Sequence, residues 1–169
     1  GNEFEDAIHG VVSNVAVHRG LVIAVDLSGL VHCLDAKTGL RYWVFDVLAS
    51  CYGSPLIVDD KVYVLDEDGD AMIFGLSPDP AVAMQKLNGA DDPLREIPMA
   101  NSFYCSPIYA NGVLYLASRS KLFAIAADND ENGAGLKAAK ELAERACSRC
   151  DVEITAPAEA GDWNDVLMG

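Results

Sequence analysis

Apolar and polar residues follow one another in short runs over the first three quarters of this chain. Between Val11 and Ala49 the runs Val15–Val17, Leu21–Val25, Leu30–Leu34 and Arg41–Phe45 are separated by turns at His18-Arg19-Gly20, Asp26–Gly29 and Asp35–Gly39. Short β-rich runs broken by Gly- and Asp-bearing turns predict hairpins, and four in a row predict an antiparallel meander. The pattern then repeats. A shift of 40 places Leu21-Val-Ile-Ala-Val-Asp-Leu-Ser-Gly29 over Lys61-Val-Tyr-Val-Leu-Asp-Glu-Asp-Gly69. A further shift of 52 places Tyr52-Gly-Ser-Pro-Leu-Ile57 over Tyr104-Cys-Ser-Pro-Ile-Tyr109, and Lys61-Val-Tyr63 over Val113-Leu-Tyr115. The extra residues of the longer shift fall in a polar, Pro-rich insert, Pro78–Pro98.

A repeat near 40 residues with four strands per unit predicts propeller blades. The expectation is a mainly β chain with four-stranded antiparallel sheets at about 13–48 and 53–103 and a shorter one at 104–127. Ile23 and Tyr63 should occupy equivalent strand sites. Three blades are too few to close a ring, so the propeller would be incomplete, with open edges and inter-blade faces covered by the tail or by another copy.

After Ala127 the spacing changes. Asp128-Asn-Asp-Glu-Asn132 is an acidic turn, and Leu136, Ala139, Leu142 or Ala143, and Ala146 recur at helical spacing. Asn132 is placed as an N-cap, and Glu141 and Arg145 form a favourable i,i+4 pair. Asp151–Ala156 alternates as a strand, and Asp162-Trp-Asn-Asp165 caps a last short helix. Strand–helix–strand order favours a parallel pair. The expected division is therefore a repeat segment, 1–127, and a small βαβ segment, 128–169.

Bulk numbers narrow the function classes. The 169 residues are 51% hydrophobic and 22% charged, with mean hydropathy +0.15, so a packed core is expected. The formal charge is −14 and the sequence pI near 4.3. Residues 1–127 hold 8 basic and 16 acidic side chains, net −8, and residues 128–169 hold 4 and 10, net −6. Such a surface repels phosphate backbones, which argues against nonspecific nucleic-acid binding. No apolar run reaches the roughly 18–20 residues that span a bilayer, and the N-terminus lacks a basic-then-apolar signal pattern. Cys33, Cys51, Cys105, Cys147 and Cys150 are an odd and scattered set, which points to a soluble chain in a reducing, cytoplasmic compartment.

Two resemblances follow from particular residues. Leu34-Asp-Ala-Lys-Thr-Gly39 with Trp43 resembles the tryptophan-docking signature of pyrroloquinoline-quinone-like (PQQ-like) β-propeller repeats. The segments Gly53-Ser-Pro55 to Tyr63 and Cys105-Ser-Pro107 to Tyr115 are similar to the first two strands of such repeats. The resemblance covers about residues 10–127. It implies that Gly39 permits a tight turn and that Trp43 packs between neighbouring blades, while Pro55, Gly69 and Pro107 mark equivalent repeat positions. Only the first block carries the full motif. The second lacks the Trp, and the third stops after its third strand. Over about 125–169, Ile125-Ala-Ala-Asp-Asn-Asp130 with Gly133, followed by Gly161-Asp-Trp-Asn-Asp-Val-Leu167, resembles the C-terminal half of a primase-type Toprim domain. That resemblance implies Mg²⁺ ligation by Asp128 and Asp130 and a later motif at Asp162, Asn164 and Asp165. The strand that would end in the family's Glu-Gly pair is absent, since Glu96 precedes Ile97-Pro98.

The remaining chemistry is sparse. Asp128, Asp130 and Glu131 suit a hard cation at a helix start or simply complement its dipole; without a further acid the site would hold only weak Mg²⁺. An EF-hand reading of this run is set aside because the twelfth position is Ala139. Cys147-Ser-Arg-Cys150 lacks the second pair that zinc needs. Asp66-Glu-Asp-Gly-Asp70 reads as a turn of solvated acids rather than a calcium loop, and His9, His18 and His32 read as turn or strand-face residues. Tyr52, Tyr63, Tyr104 and Tyr115 read as core or blade-packing residues. No cofactor other than weak Mg²⁺ is expected, since quinoprotein dehydrogenases use ligands from many blades and adjacent cysteines. The chain is expected to be a non-enzymatic binding or scaffolding module that meets a protein partner or itself through open blade edges. The alternatives are a Mg²⁺-dependent nucleic-acid enzyme fragment of Toprim type, and a composite chain joined at the strand Leu122–Ala127, natural or engineered, without native activity.

Overall fold

The computed structural model describes residues 10–126, 137, 140, 141 and 151–155. The chain groups into two compact units, Gly1–Ser106 and Pro107–Gly169. In the first unit the strands β1 (Ala16–His18), β2 (Leu21–Val25), β3 (Leu30–Asp35) and β4 (Arg41–Asp46) form an antiparallel meander in chain order. These are the four runs of β-formers read from the sequence, with ends shifted by one residue at most. A register shift between Cys33 and Leu34, which pair with Trp43 and Arg41, marks a bulge in β4 at Tyr42.

The second sheet takes β5 (Leu56–Val58), β6 (Lys61–Leu65) and β7 (Asp70–Gly75) in the same way. Its fourth strand arrives late. A single helical turn, α1 (Pro80–Ala83), and a hairpin of β8 (Met84–Leu87) and β9 (Ala90–Pro93) intervene before β10 (Arg95–Pro98). The order is β10-β7-β6-β5, all antiparallel. α1 starts where the sequence tells it to: Asp79 accepts from the Ala81 amide and Pro80 occupies the first turn. The hairpin turns on Asn88 (φ 53°) and Gly89 (φ 85°), a pair suited to the left-handed conformations of a type I′ turn.

One core joins the two sheets of this unit. Ile23, Val25, Val31 and Trp43 from the first pack with Val62, Val64, Met72 and Phe74 from the second, and with Ala83 and Met84 from the insert. Each fully buried side chain of this kind contributes on the order of 1.5–3 kcal/mol. Inner strands carry buried residues on both faces, whereas β1 exposes Val17.

The second unit holds β11 (Ile108–Ala110), β12 (Val113–Ala117) and β13 (Lys121–Ala126), paired antiparallel. The sequence reading stopped this sheet after its third strand. The parallel pair expected of the strand–helix–strand order supplies a fourth: β14 (Asp151–Thr155) runs parallel to β13 from Lys121↔Asp151 to Ile125↔Thr155. The sheet is mixed because β13 ends a meander and also begins the strand–helix–strand unit, whose Lys137, Lys140 and Glu141 are helical. Val113 and Ala124 are fully buried there, with Tyr115 and Ile154 packed against them.

The repeat register holds across all three sheets. Ala16 pairs with Ile23, Leu56 with Tyr63 and Ile108 with Tyr115. The shifts of 40 and 52 thus carry each pair onto the next. The match slips by one residue after β12, where Ser118-Arg119-Ser120 replaces the four-residue Asp-x-x-Gly turn.

Candidate functional site

The docking residue comes first because it fixes how the two sheets of the first unit meet. Asp35 builds the turn before it. Its Oδ1 accepts from the amides of Lys37 and Thr38 and from Thr38 Oγ1, and its Oδ2 accepts from the Tyr42 hydroxyl at 3.0 Å. The Thr38 amide and hydroxyl, then Tyr42 and Lys37, hold the Asp35 carboxyl down at about 2. Gly39 closes the turn at φ 72°. Trp43 is then delivered inward. Its Nε1 donates to the Ser77 carbonyl at 2.8 Å, and its ring stacks on Phe74 at 5.9 Å. The surface that Trp43 docks on was expected to stay open or be covered by the tail or another copy. It is covered by the second sheet, leaving Trp43 5% exposed. In that second sheet Arg95 pairs with Ile73 as Trp43 pairs with Cys33, so an arginine stands where the repeat lacks its Trp.

A second device links equivalent positions of successive repeats. The Asn14 amide donates to Ser54 Oγ at 3.0 Å, and the Ser54 amide donates to Ser106 Oγ at 2.8 Å. The same shifts of 40 and 52 relate these three residues. The prolines that follow, Pro55 and Pro107, are buried. Tyr52 and Tyr104, expected as core or blade-packing residues, lie outside the core at 38% and 54% exposed, with their rings in contact at 5.3 Å between equivalent repeat positions. Tyr63 and Tyr115 are half-buried.

The third device is the pair of turn aspartates. Asp26 Oδ1 accepts from the Ser28 and Leu30 amides, while His32 Nε2 lies 3.6 Å from its Oδ2. Asp66 Oδ1 accepts from the Gly69 and Asp70 amides, both at 2.9 Å. A Cβ on Gly69, which sits at φ 97°, would lie 2.9 Å from the Asn101 amide nitrogen, so the turn needs glycine. The position equivalent to His32 is Met72. Asp66 Oδ2 is buried with no hydrogen-bond partner. The reading of 66–70 as solvated acids fails at this residue: Asp66 is 1% exposed, because the meander packs over the inner side of the turn.

Asp66 lines a cavity of about 330 Å³ together with Asp46, Asp68, Asp70, Asp91, Asp92 and Glu96. Phe45, Val47, Leu48, Ala49 and Met72 complete the lining. Among the described residues no basic side chain lines it. Burial pushes the Asp66 carboxyl up, against the pull of the Asp70 and Gly69 amides, and the charges of Asp70 and Asp68 add to the push. Glu96 is raised too, by burial and then by Asp70, Asp92 and Asp66. Sequence reading missed this convergence because Asp91, Asp92 and Glu96 lie in the insert. The Asn88-Gly89 pair was the available signal, since it folds the acidic arm back as a hairpin.

Asp128, Asp130, Asp162, Asn164, Asp165, Cys147, Cys150 and His9 lie outside the described residues. Among the described residues no group of three or more His, Cys, Asp or Glu is set to hold a metal ion. His18 ends β1 on the surface and His32 is buried in β3. Burial raises the thiol of Cys33 to about 11 and that of Cys51 to about 12, so both are poor nucleophiles near neutral pH.

Comparison with known proteins matches the repeat part of the chain. The family model described as "Outer membrane protein assembly factor BamB" matches residues 3–129. BamB from Moraxella catarrhalis is similar in structure, with TM-score 0.52 and 18% identity over 69% of this chain and 33% of that one. The quinohemoprotein alcohol dehydrogenase ADHIIG from Pseudomonas putida HK5 is similar at TM-score 0.51 and 17% identity, over 67% of this chain and 17% of that one. The chain thus spans a third or less of the length of these structures. No curated protein sequence matches it.

Proposed function

This chain belongs to the family described as outer membrane protein assembly factor BamB, and from that premise we propose that it is a non-enzymatic module that binds or scaffolds other proteins. The observation that carries the reading is the family match over 3–129 together with two stacked four-stranded repeats in the first unit. Repeated sheets of this kind present turns and loops as a contact surface. Fold alone does not decide between binding and catalysis, since an assembly factor and an alcohol dehydrogenase share it. What favours binding is the site chemistry: the thiols of Cys33 and Cys51 are buried and raised, and the carboxylates gather in an acidic cavity. Self-association through the end strands of the sheets is another form of the same reading. Among the described residues no helix is long and apolar enough to cross a membrane.

Reconstitution with pyrroloquinoline quinone and calcium, followed by alcohol-dependent dye reduction, tests the non-enzymatic part. A blank is expected. Stoichiometric turnover overturns the reading.

A second reading concerns the tail. β13 and β14 pair in parallel, as any strand–helix–strand unit requires, and the Toprim-type reading itself rests on the sequence motifs at Asp128, Asp130 and Asp162-Trp-Asn-Asp165. Under that reading Asp128 and Asp130 hold Mg²⁺ at roughly millimolar affinity, because two or three carboxylates leave most of the octahedral shell to water. Mn²⁺ relaxation on the wild-type chain and on the Asp128→Asn/Asp130→Asn double variant decides it. Binding lost in the double variant supports a weak metal site, and identical relaxation in both chains removes it.

A further inference from the structure

We propose that the cavity at the Asp66 turn receives an arginine side chain of a partner polypeptide; this rests on the protein-binding reading above. The starting point is a difference between two copies of one turn. Both turn aspartates use Oδ1 to accept two backbone amides. The first has His32 Nε2 3.6 Å from its other oxygen, and the second has Met72 at the equivalent position. Asp66 Oδ2 is therefore buried without a donor in a residue that is 1% exposed. A carboxylate taken out of water needs a compensating donor or positive charge. The surroundings supply none, because Asp68, Asp70 and Glu96 add further negative charge. The nearby Lys86 is already engaged by Asp91 at 2.6 Å.

Size and shape select the cation. A space of about 330 Å³ exceeds what a single metal ion fills, and among the described residues the carboxylates do not converge as a metal-holding group. A guanidinium carries five N–H donors in a planar fork and bonds several separated carboxylates at once, whereas an ammonium acts as a point charge. Part of the lining is apolar. Leu48 is 86% exposed and held at φ 61°, with its amide donating to Asp46 Oδ1 at 2.8 Å. Phe45 and Met72 lie in the same lining. These side chains suit the methylene stem of an arginine whose head reaches Asp66.

The test uses the full chain and amide spectra, because the Gly69 and Asp70 amides donate to Asp66 and report on it directly. Acetyl-arginine amide should shift both resonances saturably. Acetyl-citrulline amide, which keeps the shape and loses the charge, should leave them in place, and acetyl-lysine amide should bind at least fivefold more weakly. Asp66→Asn, whose Oδ1 still accepts the two amides, should weaken arginine binding tenfold or more. Asp59→Asn, which removes the same charge outside the cavity, should leave it unchanged. Glu96→Gln serves as the second variant and should weaken binding in the same direction. Equal binding of citrulline, no loss in either cavity variant, or Ca²⁺ shifting these amides where arginine does not, each overturns the proposal. If Asp66→Asn still captures a protein partner with wild-type affinity, the cavity proposal falls and the binding-module reading stands. If the chain binds the arginine amide but no protein, the cavity survives and the module reading falls.

Discussion

At the scale of single residues, Asp66 and Glu96 respond to pH in the opposite sense to Asp35. Asp66 and Glu96 are raised, so the folded chain holds their protons more tightly than the unfolded chain does. The cost of their charge is present above the raised values and is relieved as pH falls through them toward the ordinary 3.8 of Asp66 and 4.5 of Glu96. Asp35 is lowered to about 2, so its contribution is present above 3.8 and lost as pH falls from there toward 2. Thermal unfolding should therefore show Tm rising from pH 7 toward pH 4.5 and falling below pH 4. Asp66→Asn should raise Tm at pH 7 and flatten the upper limb, and a lower Tm at pH 7 would show that Oδ2 has a stabilising partner. Trp43→Ala should cost about 3–5 kcal/mol in denaturant unfolding, since it empties the joint between the sheets and leaves the Ser77 carbonyl with only the weak Cys33 thiol donor. A loss under about 1 kcal/mol would mean that the two sheets do not depend on that joint.

Elements show where sequence was legible and where it was not. The strands of the first two repeats were readable because β-branched runs end at Gly- and Asp-bearing turns, and the shift of 40 placed Ile23 and Tyr63 at equivalent positions of their sheets. The alternation of Asp151–Ala156 was also readable as a strand, and the strand–helix–strand order pointed to its parallel pairing with β13. What the repeat pattern left out is that this pair completes the third four-stranded sheet, because a fourth strand arriving across 24 intervening residues breaks the meander order of the first two repeats. The acidic cavity was hidden for a similar reason, being assembled from the β4 end, the Asp66 turn and the insert. The Ser-Pro repeat was noticed as a motif, yet its role as a hydrogen-bond relay appears only in three dimensions. Ser54→Ala leaves the Asn14 amide without its acceptor and should cost about 1 kcal/mol. Hydrogen exchange should show faster exchange at Asn14 with little change at Ser54, whose own donation to Ser106 is untouched. Equal acceleration at both amides would mean that the relay acts through the backbone rather than through each hydroxyl.

For the whole molecule, family membership and repeat architecture agree, while function depends on what the surface holds. The chain covers 33% of the Moraxella BamB structure. Residues 51–100 carry ten acidic and three basic side chains, which concentrates negative charge on the second repeat and favours a basic partner surface. The most direct measurement is native mass spectrometry of the affinity-captured full chain from its source cells, at physiological ionic strength. A defined complex of this chain with another protein, or with further copies of itself, is the expected result, and raising the salt should dissociate the hetero-complex. Recovery of the chain alone across a range of concentrations would contradict its role as a binding module.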